Sequence, residues 1–289
     1  MNDNKMKVTT RIFLVLLLLF SFTAALGCNL TAPGPTAVNQ LEVYFMDVGQ
    51  ADCEIVRCRD ANMIIDTGTN ATASSLVSTI KHMGINKFDV AIGTHPHEDH
   101  IGGLDAVINN FGIGKIYMPD VTADTKTYTD VITAIQNHDY SITSPVPGTT
   151  FNVGDAQCTI LAPNSRSYDD LNDYSIVIRL DYGKTSFLFT GDAQTTSEQE
   201  MLAAGYNLKA DVLKVGHHGS DTATSPAFLK AVAPEYGVIE VGAGNDYGHP
   251  HHITLEKLAA ANVTVYRTDL NGTIEFKSDG SRLTVTTTK

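Results

Sequence analysis

The sequence Thr94-His95-Pro96-His97-Glu98-Asp99-His100-Ile101-Gly102-Gly103 concentrates metal-ligating side chains in one short segment. It follows the apolar run 90–93, which predicts a strand, and it runs into a helix predicted near 101–110. Imidazole and carboxylate groups are the ligands that borderline and hard divalent ions prefer, and a loop at a strand end lets several converge. Pro96 stiffens this loop and biases His95 toward an extended conformation. A metal site explains four potential ligands in six residues better than a solvated, histidine-rich turn does.

The spacing of these ligands accommodates one or two divalent metal ions, Zn²⁺ or Mn²⁺. Paired ions in hydrolytic sites lie about 3.5–4 Å apart. In this segment His95 and His97 would bind one ion, and Asp99 and His100 would bind the other.

The segment resembles the H-x-H-x-D-H motif of the metallo-β-lactamase fold, which is long and specific. The resemblance implies an α/β protein, a four-layer αββα sandwich with the metal site at one edge of the two sheets. It also implies three roles at the ends of other apolar strands: Asp66 orients a ligand histidine, Asp192 bridges two metals, and His217 is the last histidine ligand. The residues alone also allow Asp66 to be a turn residue and Asp192 to cap a helix. In a regular strand His218 would face away from His217, which makes it the weaker ligand candidate.

A narrower resemblance, to the extracytoplasmic hydrolase domain of ComEC-like competence proteins, covers most of residues 41–276. Its motifs here are Asp47-Val48-Gly49-Gln50-Ala51-Asp52, His217-His218-Gly219-Ser220, Gly248-His249-Pro250 and Arg267-Thr268-Asp269. The resemblance implies that Asp99 binds metal and orients the water nucleophile, with His249 a general acid or a phosphate contact. His249 is equally compatible with a surface turn. The substrate-binding residues that it implies are Asn172, Ser175, His218, Ser220 and Asn245.

Two departures from these families affect the expected function. True lactamases supply a third histidine to the first metal, whereas the only histidine between His100 and His217 is His138, at a predicted helix end. We therefore expect the first site to be poor in ligands, so that it binds metal weakly, favours Mn²⁺ over Zn²⁺ or is filled only with substrate. The membrane channel of ComEC-like proteins is the second departure. Because the sequence has no second long apolar run, we do not expect DNA transport by this chain alone.

The N-terminal residues predict export. Residues 1–27 combine Lys5, Lys7 and Arg11 with the apolar run 12–26, which is typical of a signal peptide. The run ends at Ala25-Leu26-Gly27-Cys28, which resembles a lipoprotein processing site with Cys28 as the lipidated residue. An uncleaved anchor or ordinary secretion would also fit. We therefore expect an extracytoplasmic, membrane-attached lipoprotein with a tether at 28–40 and a hydrolase domain at 41–289.

Composition limits the partners. The chain has 32 acidic and 20 Lys and Arg residues, a net charge of −12, which disfavours broad neutralisation of nucleic-acid phosphates. DNA or another phosphodiester would then be held through metal ions or a local patch. No sequence feature identifies a protein partner. The leading hypothesis is a metal-dependent nuclease or phosphodiesterase. The alternatives are hydrolysis of a small ester, lactone or β-lactam, and a non-catalytic metal-binding surface protein.

Periodicity predicts a mixed α/β order for the domain. We expect strands near 41–48, 52–58, 61–66, 88–94, 114–118, 157–162, 175–181, 184–190, 210–216, 236–241, 263–267, 272–276 and 281–287. Helices are expected near 73–83, 101–110, 124–137, 194–204, 225–233 and 253–260. Thr195 and Glu198 have the spacing of a capping box. Cys53 and Cys58 should lie on opposite faces of one strand, so we expect no disulfide between them.

Overall fold

The computed structural model describes residues 40–289. The predicted leader, Cys28 and all but the last residue of the tether lie outside the described residues. The first strand begins at Leu41, where the hydrolase domain was expected to start. Within residues 40–289, no helix combines the length and the apolar character that crossing a membrane requires.

The strands are short and mostly buried, and their side chains alternate between two faces where one face meets solvent. In the described residues they are β1 (Leu41–Phe45), β2 (Glu54–Cys58), β3 (Ala61–Ile65), β4 (Lys87–Ile92), β5 (Gly112–Tyr117), β6 (Ile142–Thr143), β7 (Thr150–Val153), β8 (Ala156–Ala162), β9 (Val177–Tyr182), β10 (Thr185–Phe189), β11 (Val212–Lys214), β12 (Tyr236–Ile239), β13 (Thr264–Arg267), β14 (Ile274–Ser278) and β15 (Leu283–Thr287). One sheet has the order β15-β14-β1-β2-β3-β4-β5-β6, and the other has the order β13-β12-β11-β10-β9-β8-β7.

The helices lie on the outer faces of the two sheets. They are α1 (Ala73–His82), α2 (Glu98–Ile101), α3 (Leu104–Asn110), α4 (Lys126–Asn137), α5 (Thr195–Ala204), α6 (Pro226–Val232), α7 (His252–Ala260) and α8 (Thr268–Asn271), with short 3-10 turns at Leu171–Tyr174 and His217–Gly219. The described chain has three apolar cores, one between the sheets and one between each sheet and its helices. The predicted αββα sandwich is therefore confirmed.

The sheet pairings place the chemistry-bearing loops together. Strands β3 and β4 are parallel in the first sheet, and β10 and β11 are parallel in the second. Parallel neighbours end at the same edge of a sheet, and polar residues that follow such ends meet there. The residues after these four strands include Asp66, the segment 94–100, Asp192 and the pair His217–His218. The site therefore lies at one edge of the two sheets.

The helix predicted near 101–110 is two helices, α2 and α3, and α2 begins earlier than predicted, at Glu98. Gly102 and Gly103 lie between them. A Cβ on Gly102 would come within 2.4 Å of the Asn70 amide nitrogen, so only glycine allows this close approach. The metal-ligating segment is thereby pressed against the loop after β3.

Several smaller expectations were wrong or incomplete. Strands β6 and β7 and helix α8 were missed because they are short or lack apolar alternation. The capping box is also wrong, because Gln194 occupies the N-cap of α5 and no side chain caps it. Glu198 is buried instead and accepts the amide N–H groups of Thr224 and Ser225. Cys53 and Cys58 face different cores, as predicted.

Candidate metal centre

The carboxylate of Asp66 fixes the positions of Thr94 and His100 at the centre by hydrogen bonds. It is buried, and its Oδ1 accepts the Thr94 amide N–H at 2.8 Å. Its Oδ2 accepts the Thr94 hydroxyl at 2.7 Å and the His100 Nδ1–H at 2.7 Å. Asp66 therefore has the orienting geometry that the family resemblance implied, and it leaves His100 Nε2 available to a metal ion.

Four potential ligands converge in front of Asp66: Asp99, His100, Asp192 and His218, with one ligand atom of each within 4.8 Å of the others. His100 Nε2 lies 3.2 Å from Asp192 Oδ2, and His218 Nε2 lies 3.2 Å from Asp99 Oδ2. His100 Nε2 is buried without a hydrogen-bond partner and faces Asp192 Oδ2. An orphaned buried imidazole nitrogen beside a carboxylate is what a divalent ion would satisfy. The residues present therefore fit a metal ion.

The expectation that His218 faces away from this group is wrong. Strand β11 ends at Lys214, and both His217 and His218 have φ of 51° in the following turn, so strand alternation does not apply. His218 is 2% exposed, and its Nδ1 donates to the Glu240 carbonyl at 2.9 Å, which aims Nε2 at the carboxylates. His217 is more exposed, with Nε2 3.8 Å from Asp192. The metal-binding role of His217 stays a prediction.

His95 and His97 form a pair beside the four-ligand group. His95 Nε2 lies 2.9 Å from His97 Nδ1, and the rings of His95 and His100 are 4.1 Å apart between centroids. Apart from His100, which belongs to the four-ligand group, no further histidine contacts this pair in the described chain. His138, the one candidate between His100 and His217, hydrogen-bonds Asn109 and does not line the cavity.

Charges at the centre are strongly coupled. Burial alone lowers the pKa of His100, but the carboxylates of Asp192 and Asp66 outweigh burial and raise it well above its usual value. The pKa of His218 is likewise raised against burial to about 10, by Asp192 and Asp52. Burial alone would raise the pKa of Asp192, but the two histidines hold it well below its usual value. The negative charge that raises these two pKa values also attracts a cation, and a divalent ion would displace the protons when it binds.

A cavity of 490 Å³ opens over the centre. Its lining residues are Gln50, Thr69, His97, Glu98, Asp99, Asn172, Asp192, His217, His218, Tyr247 and His249. Asn172 Oδ1, Gln50 Nε2 and His249 Nδ1 are buried without a hydrogen-bond partner. His249 therefore lines the cavity, from a loop in which Tyr247 and Gly248 are exposed. Burial, followed by the charges of His218 and His217, lowers the pKa of His249 to about 4.

Three residues predicted to bind substrate do not line this cavity. Ser175 is fully buried, accepts the Asp192 amide N–H at 3.1 Å and lies 3.3 Å from His95 Nδ1. Ser220 is buried and accepts from Thr222. Asn245 bonds the backbone on both sides of its own loop, including the His249 amide and carbonyl. These contacts engage the polar atoms of all three side chains in local structure, and a direct role in substrate binding stays a prediction.

Six residues at the site had no predicted role. The cavity is lined by four of them, Gln50, Thr69, Glu98 and Tyr247, and Asp52 and Lys214 lie fully buried behind it. The one usable signal was a lysine inside the apolar strand β11, because a buried lysine requires a partner.

Comparison with known proteins agrees with this geometry. The metallo-beta-lactamase superfamily model matches residues 46–242, and the chain belongs to that superfamily. The chain is thus a metal-dependent hydrolase by fold and ligand set. It is 30% identical over 261 residues to ComE operon protein 3 of Bacillus subtilis (strain 168), covering 84% of this chain and 34% of that protein. It is 32% identical over 246 residues to competence protein ComA of Neisseria gonorrhoeae, covering 84% of this chain and 33% of that protein.

The chain therefore spans about a third of the length of these curated relatives. Among solved structures, the metallo-beta-lactamase fold protein YhfI from Bacillus subtilis matches with a TM-score of 0.56 and 14% identity. That match covers 83% of this chain and 100% of the other, and at this identity it supports the fold alone.

Proposed function

We propose that the protein is a metal-dependent phosphodiesterase that uses water to cleave nucleic acid or another phosphodiester. The observation that carries this proposal is the convergence of Asp99, His100, Asp192 and His218 on the floor of an open cavity. The relative from Neisseria gonorrhoeae is a competence protein, which favours nucleic acid among phosphodiesters.

The four-residue group would hold one divalent ion, and His95 and His97 would contribute to a second, with Zn²⁺ or Mn²⁺ as the expected metals. When bound, such ions supply a water of lowered pKa and positive charge for the phosphate oxygens. Asp99 is the more exposed carboxylate of the group, at 31%, which suits it to orient the attacking water.

Neutral donors on the cavity wall would position the substrate. The Gln50 side chain accepts the Gly242 amide N–H through Oε1, and its Nε2–H groups remain for a phosphate oxygen. The side chain of Asn172, which also lines the cavity, offers a second amide. Because the pKa of His249 is lowered to about 4, its neutral imidazole suits a hydrogen bond to phosphate better than proton donation at neutral pH.

Charge shapes the expected affinity. The described cavity lining contains no Lys or Arg, and the chain has a net charge of −12. A phosphodiester would therefore be held through the ions and the neutral donors, and little of the binding would come from counterion release. We also infer attachment at the outer membrane face through Cys28, which rests on the N-terminal sequence alone.

The test uses the full chain with added Mn²⁺ or Zn²⁺. Hydrolysis of bis(p-nitrophenyl) phosphate and single-stranded DNA is compared with hydrolysis of a p-nitrophenyl ester, a lactone and a chromogenic β-lactam. His97→Ala should abolish phosphodiester hydrolysis, whereas His138→Ala, a histidine outside the cavity, should leave it unchanged. Hydrolysis of only the ester, lactone or β-lactam would favour the second function. Metal binding without any turnover would favour the non-catalytic one.

A further inference from the structure

Lys214 is a fully buried cation behind the metal centre. It lies in β11, its Nζ forms an ion pair with the Asp52 carboxylate, and it donates to the Gly191 carbonyl at 2.8 Å. Its Nζ also lies 3.6 Å from Asp192 Oδ1. Among the described residues, Asp52 and Asp192 are the carboxylates within ion-pair distance of this ammonium.

The two oxygens of Asp192 face different neighbours. Oδ1 faces Lys214, whereas Oδ2 lies near His100, His217 and His218. An ammonium paired fully with Asp192 would neutralise the carboxylate that a divalent ion needs, and such competition is strong at low dielectric. The Lys214 ammonium pairs more closely with Asp52 than with Asp192. The cation is therefore held on the side of Asp192 that faces away from the ligand histidines.

Asp52 also contacts the ligands themselves. Its Oδ1 lies 3.2 Å from His218 Nδ1, and its backbone N–H donates to the Asp99 carbonyl at 3.1 Å. His218 Nδ1 is therefore held between the Asp52 carboxylate and the Glu240 carbonyl, which fixes the ring with Nε2 toward the cavity. Asp52 thus contacts a cation and a ligand histidine through its carboxylate, and the ligand loop through its backbone.

We propose that Asp52 is a positioning residue of the metal centre, which holds Lys214 away from Asp192 and aligns His218. The inference rests on the proposed function only in requiring that a divalent ion binds here. Metal affinity tests it without any measurement of hydrolysis.

The experiment measures Mn²⁺ and Zn²⁺ affinity of the chelator-stripped full chain by calorimetry, for wild type, D52N, K214M and D52N/K214M. D52N leaves an unpaired ammonium beside Asp192, so we expect metal affinity to fall on the order of 30-fold. The metal affinity of K214M should remain near that of the wild type, because Asp52 still aligns His218. The metal affinity of D52N/K214M should be about threefold lower than that of K214M, since only the alignment of His218 is weakened.

A fall in the metal affinity of D52N without an equivalent fall in its thermal stability, reversed by removal of the lysine, is the signature that a merely structural role would not produce. D181N, which removes a carboxylate from the Arg179–Asp181 pair outside the cavity, is the matched control and should leave metal affinity unchanged.

Wild-type affinity in D52N, or no recovery in the double variant, would overturn the proposal. If D52N does not fold, equal affinities of K214M and the double variant would overturn it. A wild-type chain that binds no divalent ion contradicts both this inference and the proposed function, whereas metal binding without hydrolysis contradicts the proposed function alone.

Discussion

His100 donates its Nδ1–H to Asp66 Oδ2 at 2.7 Å, and its Nε2 therefore points toward Asp192 Oδ2, 3.2 Å away. A carboxylate behind the ring thus sets which nitrogen of a candidate ligand faces the cavity. Asp66 has φ of 53°, a backbone region that Asn tolerates, so its charge can be removed without changing the backbone.

Asp66→Asn should lower divalent-metal affinity about 10–100-fold, because an amide binds His100 Nδ1–H more weakly than a carboxylate does. Calorimetric titration with Mn²⁺ and Zn²⁺ measures the change. Asp139 is exposed and also has a positive φ, of 56°, so Asp139→Asn is the matched control. Equal loss in both variants would mean that Asp66 does not act through His100.

Gly102→Ala should destabilise the fold by about 1–3 kcal/mol, the range for overpacking a close contact. The added Cβ would lie 2.4 Å from both the Asn70 nitrogen and the Glu98 carbonyl oxygen, and the backbone carrying Asp99 would have to shift. Thermal unfolding and metal content report the two effects. Gly112→Ala adds the same group where the nearest atom is 3.6 Å away, and it should change neither.

His218→Ala should reduce metal affinity by at least about 100-fold, above the range for residues that only orient ligands. His217→Ala should cost less, because its Nε2 lies 3.8 Å from Asp192 and the ring is partly exposed. Metal affinities of the two variants, measured side by side, decide between the adjacent histidines. The reverse order would restore His217 as the principal ligand.

Activity should rise with added Mn²⁺ and exceed the activity with Zn²⁺, because the His95–His97 pair lacks a third histidine. Asn172→His should tighten Zn²⁺ at this pair, since Asn172 lines the cavity and its Oδ1 has no partner. Ser175 lies fully buried behind His95 and is unsuitable for the same change. Two tightly held Zn²⁺ ions in the unmodified protein, without a Mn²⁺ response, would refute this prediction.

Cys28→Ser should move the protein from the membrane fraction to the soluble fraction after cell fractionation. Acyl chains contribute roughly 0.8 kcal/mol of membrane affinity per buried CH₂, and serine cannot carry them by the same processing. Cys158→Ser, at a buried cysteine in the core between the sheets, is the control for thiol loss. If the Cys28 variant stays in the membrane fraction, residues 12–26 remain as an uncleaved anchor.

Local sequence determined much of this protein. Apolar runs ending in Asp66, the 94–100 segment and Asp192 predicted strands followed by potential ligands, because strand periodicity and ligand spacing are local properties. That these ligands meet at one edge of the sheets was implied by the family resemblance of the motif. The same pattern located most helices and strands. It missed β6, a two-residue strand whose partner β5 lies on the other side of helix α4 in the chain, and β7, a four-residue strand that pairs with the adjacent β8.

Only the tertiary structure decided which side chains meet. The turn at His217 and His218 has positive φ, so strand alternation could not show which ring faces the ligands. The ion pair of Asp52 with Lys214 joins two segments far apart in the chain, and no local spacing encodes it. In the sequence, Ser175, Ser220 and Asn245 belong to motifs that accompany the candidate metal ligands. In the structure, packing directs their polar atoms toward backbone and neighbouring side chains. Motif spacing specifies residue types and order, whereas the direction of each side chain follows from the packing of the whole domain.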